Sequence, residues 1–424
     1  MGSGPAWLGP HSGMPTGGHC HHAGVPSRVS AVRFVAWAGI VSALSDVVYE
    51  GGRSVIGPYL ATFGASAAVV GVVTGIGEAV ALVLRLVTGP FADRTGKPWP
   101  QTIIGYALTL VCVPLMGLGG GLAPTATLYN GERLGKAIRT PSRDTMLAHA
   151  SAVVGVGRTF GLHEAIDQTG AILGPLLVAL VLAAGGSYRL SYGLLAIPGA
   201  AALVVLLRLR TAVPHPEDYD PAAHVSDAKK LRLDTRLPRE FWLYSAFSAA
   251  TMLGFATWGV LAFHLTHRHV VSAGVVPVLY AGAMAAAALA ALGSGRMYDR
   301  QGLRGLVVLP LLAAVVPLLS FATSTPAVVV GAVVWGVGMG VHDSTMRAAV
   351  TDLVPRSRRG AGYGTFTAVY GIAWLAGAAI IGVLYDHGTT VVEIFVVVVQ
   401  ALALALLVPL LRERAATARG VGQS

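Results

Sequence analysis

Apolar residues along this chain come in long runs broken by short polar interruptions, not in the period-two alternation of strands. Twelve runs can be marked, at about 32–62, 67–88, 102–122, 125–147, 159–184, 189–207, 241–266, 272–293, 304–322, 326–349, 361–385 and 392–411. The stretch IFVVVVQALALALLVPLL (394–411) holds 18 residues and no charge. That is about the length that crosses ~30 Å of hydrocarbon at ~1.5 Å per residue. The pattern predicts an all-α integral membrane protein with twelve transmembrane helices. The longest polar interruption, 208–240, divides the chain into an N-terminal six-helix bundle (31–207), a central loop and a C-terminal six-helix bundle (241–412), with tails at 1–30 and 413–424.

Composition agrees and adds an orientation. Charged residues make up 12% of the 424, about half the share usual in soluble proteins. The net charge of +10 does not point to nucleic acid, because Lys and Arg gather in particular loops. Loops after spans 2, 4, 6, 8 and 10 carry Arg94 and Lys97, Arg158, Arg208 to Arg239, Arg296 to Arg304, and Arg356 to Arg359. Both flanks add Arg28, Arg33, Arg412 and Arg414, whereas the opposite loops hold little beyond Arg189 and Arg268. This asymmetry places both termini in the cytoplasm, and the expected location is the inner (plasma) membrane. The first 30 residues read as a flexible tail. Their GGHCHH run offers soft-metal ligands, but an inert tail is the simpler reading, and no metal or cofactor is assigned. Cys20 and Cys112 form no disulfide framework. Neither the P-loop spacing nor H-E-x-x-H occurs, so no enzyme is expected.

The two halves repeat each other. GPFADRTGK (89–97) and GRMYDRQGL (295–303) both fit G-x-x-x-D-R-x-G at equivalent places. GRTFGLHEAIDQTGAILGP in span 5 matches GAGYGTFTAVYGIAWLAGA in span 11, with Gly161 facing Gly364 and Gly174 facing Gly377. On these residues the chain resembles a twelve-helix bacterial member of the major facilitator superfamily over roughly 30–412. The resemblance implies two pseudo-symmetric bundles, a substrate site at mid-bilayer between them, and alternating access. It implies a cytoplasmic gate at Gly89, Asp93, Arg94, Gly96 and Lys97, and a second copy at Asp299 and Arg300. Arg133, in ERLGKAIRTPSRD, matches a helix-4 motif Arg linked to proton transfer in relatives, although Lys136 and Arg139 depart from that pattern. Gly161, Gly170, Gly174 and Pro175 match most of a helix-5 antiporter motif whose last pair is here Val178-Ala179. The plain alternative is that these small residues simply let helices pack closely.

Charges inside the spans carry the functional reading. Spans 3, 6, 9 and 12 have essentially none and suit lipid contact. Span 1 has Asp46, Glu50 and Arg53, span 2 has Glu78 and Arg85, span 4 has Glu132, Arg133, Lys136 and Arg139, and span 5 has His163, Glu164 and Asp167. Buried charge is costly, so these groups should face a cavity and find partners. Ser42, Asp46, Tyr49, Glu50, Arg53 and Gly57 recur at helical spacing on one stripe. Two layers are expected: Asp46, Glu50 and Glu78 with Arg53, Arg133 and Lys136, and Glu164 and Asp167 with Arg139. Such pairs either couple protons to transport, with Glu50 and Glu78 first and Asp46 and Asp167 next, or only hold the bundle together. The second half offers aromatic and sparse polar groups, among them Trp258, Trp335, His342 and Asp343, suited to a partly apolar small molecule. The expected protein is a monomeric proton-coupled exporter working by antiport. Alternatives are a proton-coupled importer or uniporter of an organic anion or metabolite, and a lipid scramblase.

Overall fold

The computed structural model describes residues 29–220, 237–355 and 358–421. The GGHCHH run, Arg28, Arg356 and the Asp93 side chain lie outside what it describes. Every expected span is helical. Span 1 is α1 (Ala31–Ser54) and α2 (Ile56–Ala61), and span 2 is α3 (Ala67–Val83) and α4 (Arg85–Thr95). Spans 3, 4 and 5 are α5 (Pro98–Met116), α6 (Leu122–Val154) and α7 (Val156–Ala183). Span 6 is α8 (Tyr188–Leu194) and α9 (Ala196–Ala212), and span 7 is α10 (Arg239–Leu253) and α11 (Trp258–His267). Spans 8 to 12 are α12 (Val275–Gln301), α13 (Val308–Ser320), α14 (Thr325–Leu353), α15 (Arg359–His387) and α16 (Thr389–Val421). The last helix therefore runs on through most of the segment expected as a tail. Ten helical stretches are long and apolar enough to cross a membrane; one of them, Val275–Ser320, contains both span 8 and span 9. Leu122–Val154 is not among the ten, because Glu132, Arg133, Lys136, Arg139, Arg143 and Asp144 crowd its middle.

The helices divide into two bundles. In the first, α1 packs on α7 and α9, α5 on α6, and α3 on α6; in the second, α12 packs on α14, α10 on α15 and α16, and α13 on α14. The bundles meet through α3 with α15, α7 with α12, and α2 with α11. The internal repeat is built into the packing. A Cβ on Gly174 would lie 2.3 Å from the Val47 carbonyl of α1, and one on Gly377 would lie 2.3 Å from the Leu253 carbonyl of α10. Only glycine permits those helix approaches. Gly96 and Gly302, each closing a copy of the repeated loop motif, sit at φ 58° and 57°, a backbone conformation that disfavours a Cβ.

The helices of spans 3, 6, 9 and 12, whose charges, where present, sit near their ends, carry exposed apolar stripes at helical spacing: Ile104, Val111 and Leu115 on α5; Ile197, Val204 and Leu207 on α9; Leu311, Val315 and Leu318 on α13; Ile394, Val398 and Leu402 on α16. These are the lipid faces that the charge distribution predicts. We call the end of the bundle that carries Ala31 the terminal face and the opposite end the far face. At the far face the halves touch: a Cβ on Gly57 would lie 2.0 Å from the Gly259 carbonyl. Toward the terminal face, α7 stands exposed from Val156 to Glu164 apart from Thr159 and His163. The halves thus meet at the far face, and toward the terminal face they meet again, where a Cβ on Gly364 of α15 would lie 2.6 Å from Leu86 of α4.

Span 1 breaks at Val55 (φ −123°, ψ 11°), between the Gly-Gly and Gly-Pro pairs. Pro58 has no N–H to give the Ser54 carbonyl four residues earlier. That freed acceptor takes the Trp258 Nε1–H of the other half at 3.0 Å. A helix defect in one bundle thus becomes a bond to the other.

Candidate functional site

Tyr49 stands at the centre of the charged stripe of α1, 2% exposed. Its hydroxyl lies within reach of three cationic donors: Arg53 Nη1 at 3.0 Å, Arg133 Nη1 at 2.5 Å and Lys136 Nζ at 3.1 Å. Its ring also underlies Arg133 and Lys136, 4.5 Å and 4.2 Å from the centroid. Arg53 donates to Glu78 Oε1 at 2.8 Å, and Arg133 Nη1 lies 3.5 Å from the same oxygen. Glu50 Oε1 is 3.8 Å from Arg53, and Glu132 Oε2 is 3.2 Å from Arg133 Nε. Arg133 donates as well to Tyr129 Oη at 2.9 Å. A fully buried guanidinium is tolerable only when carboxylates and hydroxyls meet it on several sides, as here.

The first expected layer therefore forms, with two changes. Asp46 is partly exposed and makes no ion pair among the described residues. Lys136 is held by the Tyr49 hydroxyl instead of by a carboxylate, since Tyr49 lies one turn beyond Asp46 on the same stripe.

The second expected layer does not form. Arg139 is not paired with Glu164 or Asp167; it donates to Thr109 Oγ1 at 2.5 Å and lies 4.7 Å from the Tyr106 ring centroid. At this level α6 is pressed against α5, where a Cβ on Gly105 would meet Arg139 Cβ at 2.6 Å, so the near hydroxyl is reached first. Glu164 accepts from Gln168 at 3.0 Å, and Asp167 Oδ1 is buried with no hydrogen-bond partner among the described residues. Arg143 pairs with Asp144 at 2.9 Å and reaches Ser42 at 3.4 Å. Ser42 is hydrogen-bonded in turn to Tyr106 Oη (2.8 Å) and His163 Nε2 (3.0 Å).

The second half answers with aromatic rings. Tyr280 donates to Glu50 Oε2 at 2.5 Å and packs on Trp258 and Trp335, with centroids 4.8 Å and 6.0 Å away. Trp335 gives its Nε1–H to the Ala256 carbonyl at 2.8 Å, within the break between α10 and α11. From Trp335 the rings continue through Phe255 (6.1 Å), His342 (5.4 Å from Phe255), Tyr370 (6.0 Å) and Trp374 (5.8 Å). Asp343 is exposed. At the terminal face Arg94, Asp299 and Arg300 are exposed and make no ion pair among the described residues; Gly89 has open space around it. The helix-5 motif splits. Gly170 and Gly174 are pressed against Ala43 and Val47 and Pro175 is buried, but Gly161 has nothing within 4 Å.

Tyr49, Tyr129, Tyr106 and Arg143 are central here and were not among the sequence candidates. Tyr49 lies on the predicted stripe and Tyr129 lies four residues before Arg133, so both were within reach of helical spacing. Tyr106 belongs to a charge-free span and carried no signal.

The described residues form two similar bundles of membrane-length helices, with paired charges buried inside the first and aromatic rings lining the second, an architecture shared with membrane transporters. The sequence profile of the Major Facilitator Superfamily matches residues 30–291 and 258–423, and the chain belongs to that family. It is 49% identical over 380 residues to an uncharacterized protein of Mycobacterium tuberculosis strain H37Rv, covering 89% of this chain and 93% of that one. It is 24% identical over 355 residues to an uncharacterized MFS-type transporter of Methanocaldococcus jannaschii, covering 82% and 87%. Among solved structures, a bacterial homolog of the human lysosomal transporter Spinster, inward-facing and unoccupied, superposes with a TM-score of 0.71 at 15% identity over 91% of this chain and 98% of that one.

Proposed function

We propose that this transporter exchanges protons for a small molecule across a plasma membrane, with Asp46 and Asp167 carrying the protons. The supporting observation is the pairing pattern of the N-terminal half. Glu78 is engaged by two guanidinium groups and Glu50 by Arg53 and Tyr280, so both have fixed partners in this conformation. Among the described residues Asp46 and Asp167 have no cation within ion-pair distance, and both are partly exposed. A carboxylate with no fixed hydrogen-bonded cation is free to bind and release a proton as the halves move. Outward rocking would part Glu50 from Tyr280 and Trp258 from the Ser54 carbonyl, so the far-face contacts act as a latch. The basic loops support a cytoplasmic terminal face.

The test is substrate-elicited proton flux in proteoliposomes with a trapped pH dye, screened across small-molecule classes. Asp46→Asn and Asp167→Asn are expected to lower that flux at least ~10-fold, the scale of a lost acid–base group, while substrate exchange without a gradient persists. Normal flux in both variants would sink the assignment. A second reading, uptake of an organic anion, draws support from Lys136 and Arg139, which among the described residues have no carboxylate partner within ion-pair distance. In that case substrate and protons move in the same direction.

A further inference from the structure

The aromatic arc of the second half contains three nitrogen atoms that the fold leaves unused. His342 is 1% exposed, and neither ring nitrogen has a hydrogen-bond partner among the described residues. Trp374, 4% exposed, likewise has no partner for its Nε1–H. Tyr370 lies between them, with ring centroids 6.0 Å from His342 and 5.8 Å from Trp374. The arc borders the seam at both ends. Tyr280 bonds Glu50 of the first half, and Trp374 falls on the same stripe of α15 as Gly371, Leu375 and Ala378, which pack against α3. Buried polar groups are normally satisfied, so three orphaned nitrogens on one ring-lined wall need an explanation. Stability alone would favour phenylalanine at His342, where Phe255 and Tyr370 already supply ring contacts.

We propose that His342 and Trp374 are hydrogen-bonding groups for the transported molecule, an uncharged planar compound with a donor and acceptors on its ring edge. A neutral imidazole offers one donor and one acceptor, and an indole offers one donor. The matching ligand supplies at least two acceptors and one donor, and its flat faces suit the rings around it. No charged side chain belongs to the arc itself, so the part of the ligand seated there is neutral. This assignment rests on the transport reading but not on proton coupling or direction.

The experiment uses the purified full chain in detergent and follows thermal unfolding, so it does not depend on any proton flux. Two variants, His342→Phe and His342→Leu, guard against one failing to fold. Without ligand, at least one is expected to unfold roughly 2 °C or more above wild type, because an unsatisfied buried group has been removed. The probes are uracil, adenine and nicotinamide, set against benzoate and benzylamine, which are flat but charged and lack a neutral donor–acceptor edge. At least one of the first three is expected to raise the midpoint of wild type by a few degrees, as binding to the folded state does. That shift should vanish in the His342 variants and shrink in Trp374→Phe. The proposal is overturned if both His342 variants unfold at or below the wild-type temperature. It is equally overturned if none of the three neutral probes shifts wild type, if the charged probes shift it as much, or if the shift survives in the His342 variants.

Discussion

Arg133 and Lys136 lie less than one helical turn apart, yet the structure gives them different work. Arg133 is fully buried among Glu78, Glu132, Tyr49 and Tyr129, whereas Lys136 is partly exposed and bonded only to Tyr49. Arg133→Gln leaves two buried carboxylates short of a cation and is expected to cost about 3–5 kcal/mol of stability. Lys136→Gln strands no carboxylate and should fold with a near-normal unfolding midpoint while transport falls. Chemical unfolding of the two variants side by side, together with flux in vesicles, checks this; equal destabilisation would refute it. The sequence could show that both cations needed partners, because charge in an apolar span is conspicuous. It could not show which partner each finds. That choice depends on a tyrosine ring filling the space beside Lys136 and on a tight α5–α6 contact that turns Arg139 toward Thr109.

Among the helices, close approach decides what is tolerated. Gly57 meets Gly259 across the halves, Gly174 meets Val47 within one half, and Gly161 meets nothing. Gly57→Ala is expected to hold α2 away from α11 and so favour opening of the far face. Thr74, buried at 3% beside Thr257, reports on this. A Thr74→Cys probe, with Cys20 and Cys112 replaced, should react several-fold faster with a polar thiol reagent when Gly57 is alanine. Gly161→Ala should leave that rate unchanged, and equal rates for all three backgrounds would remove the far-face contact from the gating account. Helix positions were legible because apolar runs and turn residues mark them. The breaks at Val55 and at 254–257 were only half legible. Gly and Pro announced the bend in span 1, but nothing local announced that Trp258 would fill it.

Across the whole molecule, the halves meet closely at the far face, and the exposed Arg94 and Arg300 mark equivalent corners of the two bundles at the terminal face. Spin labels at those two positions should move closer together when the far face opens, while a pair at Phe63 and His269 moves apart. Asp46→Asn with Asp167→Asn is expected to remove the pH dependence of that distance change. Distances that both lengthen, or that never change between acid and neutral pH, would contradict a rocking motion coupled to those carboxylates. The overall architecture was the most readable level of all. A two-fold repeat forces the same glycine contact and a positive-φ glycine at the end of the loop motif twice, so one motif found in duplicate fixes much of the plan.

The hydroxyl of Tyr49 adds a consequence of its own. A phenol oxygen has two lone pairs, but three cations point at it. At any instant one donor is in excess, and Lys136 is the least anchored of the three. The seam is therefore frustrated by construction: one positive charge can swing toward an incoming group without breaking a bond that the resting state needs. Tyr49→Phe would remove the contest and leave Lys136 only the ring beneath it. Such a residue behaves less like a strut than like a spring held slightly compressed.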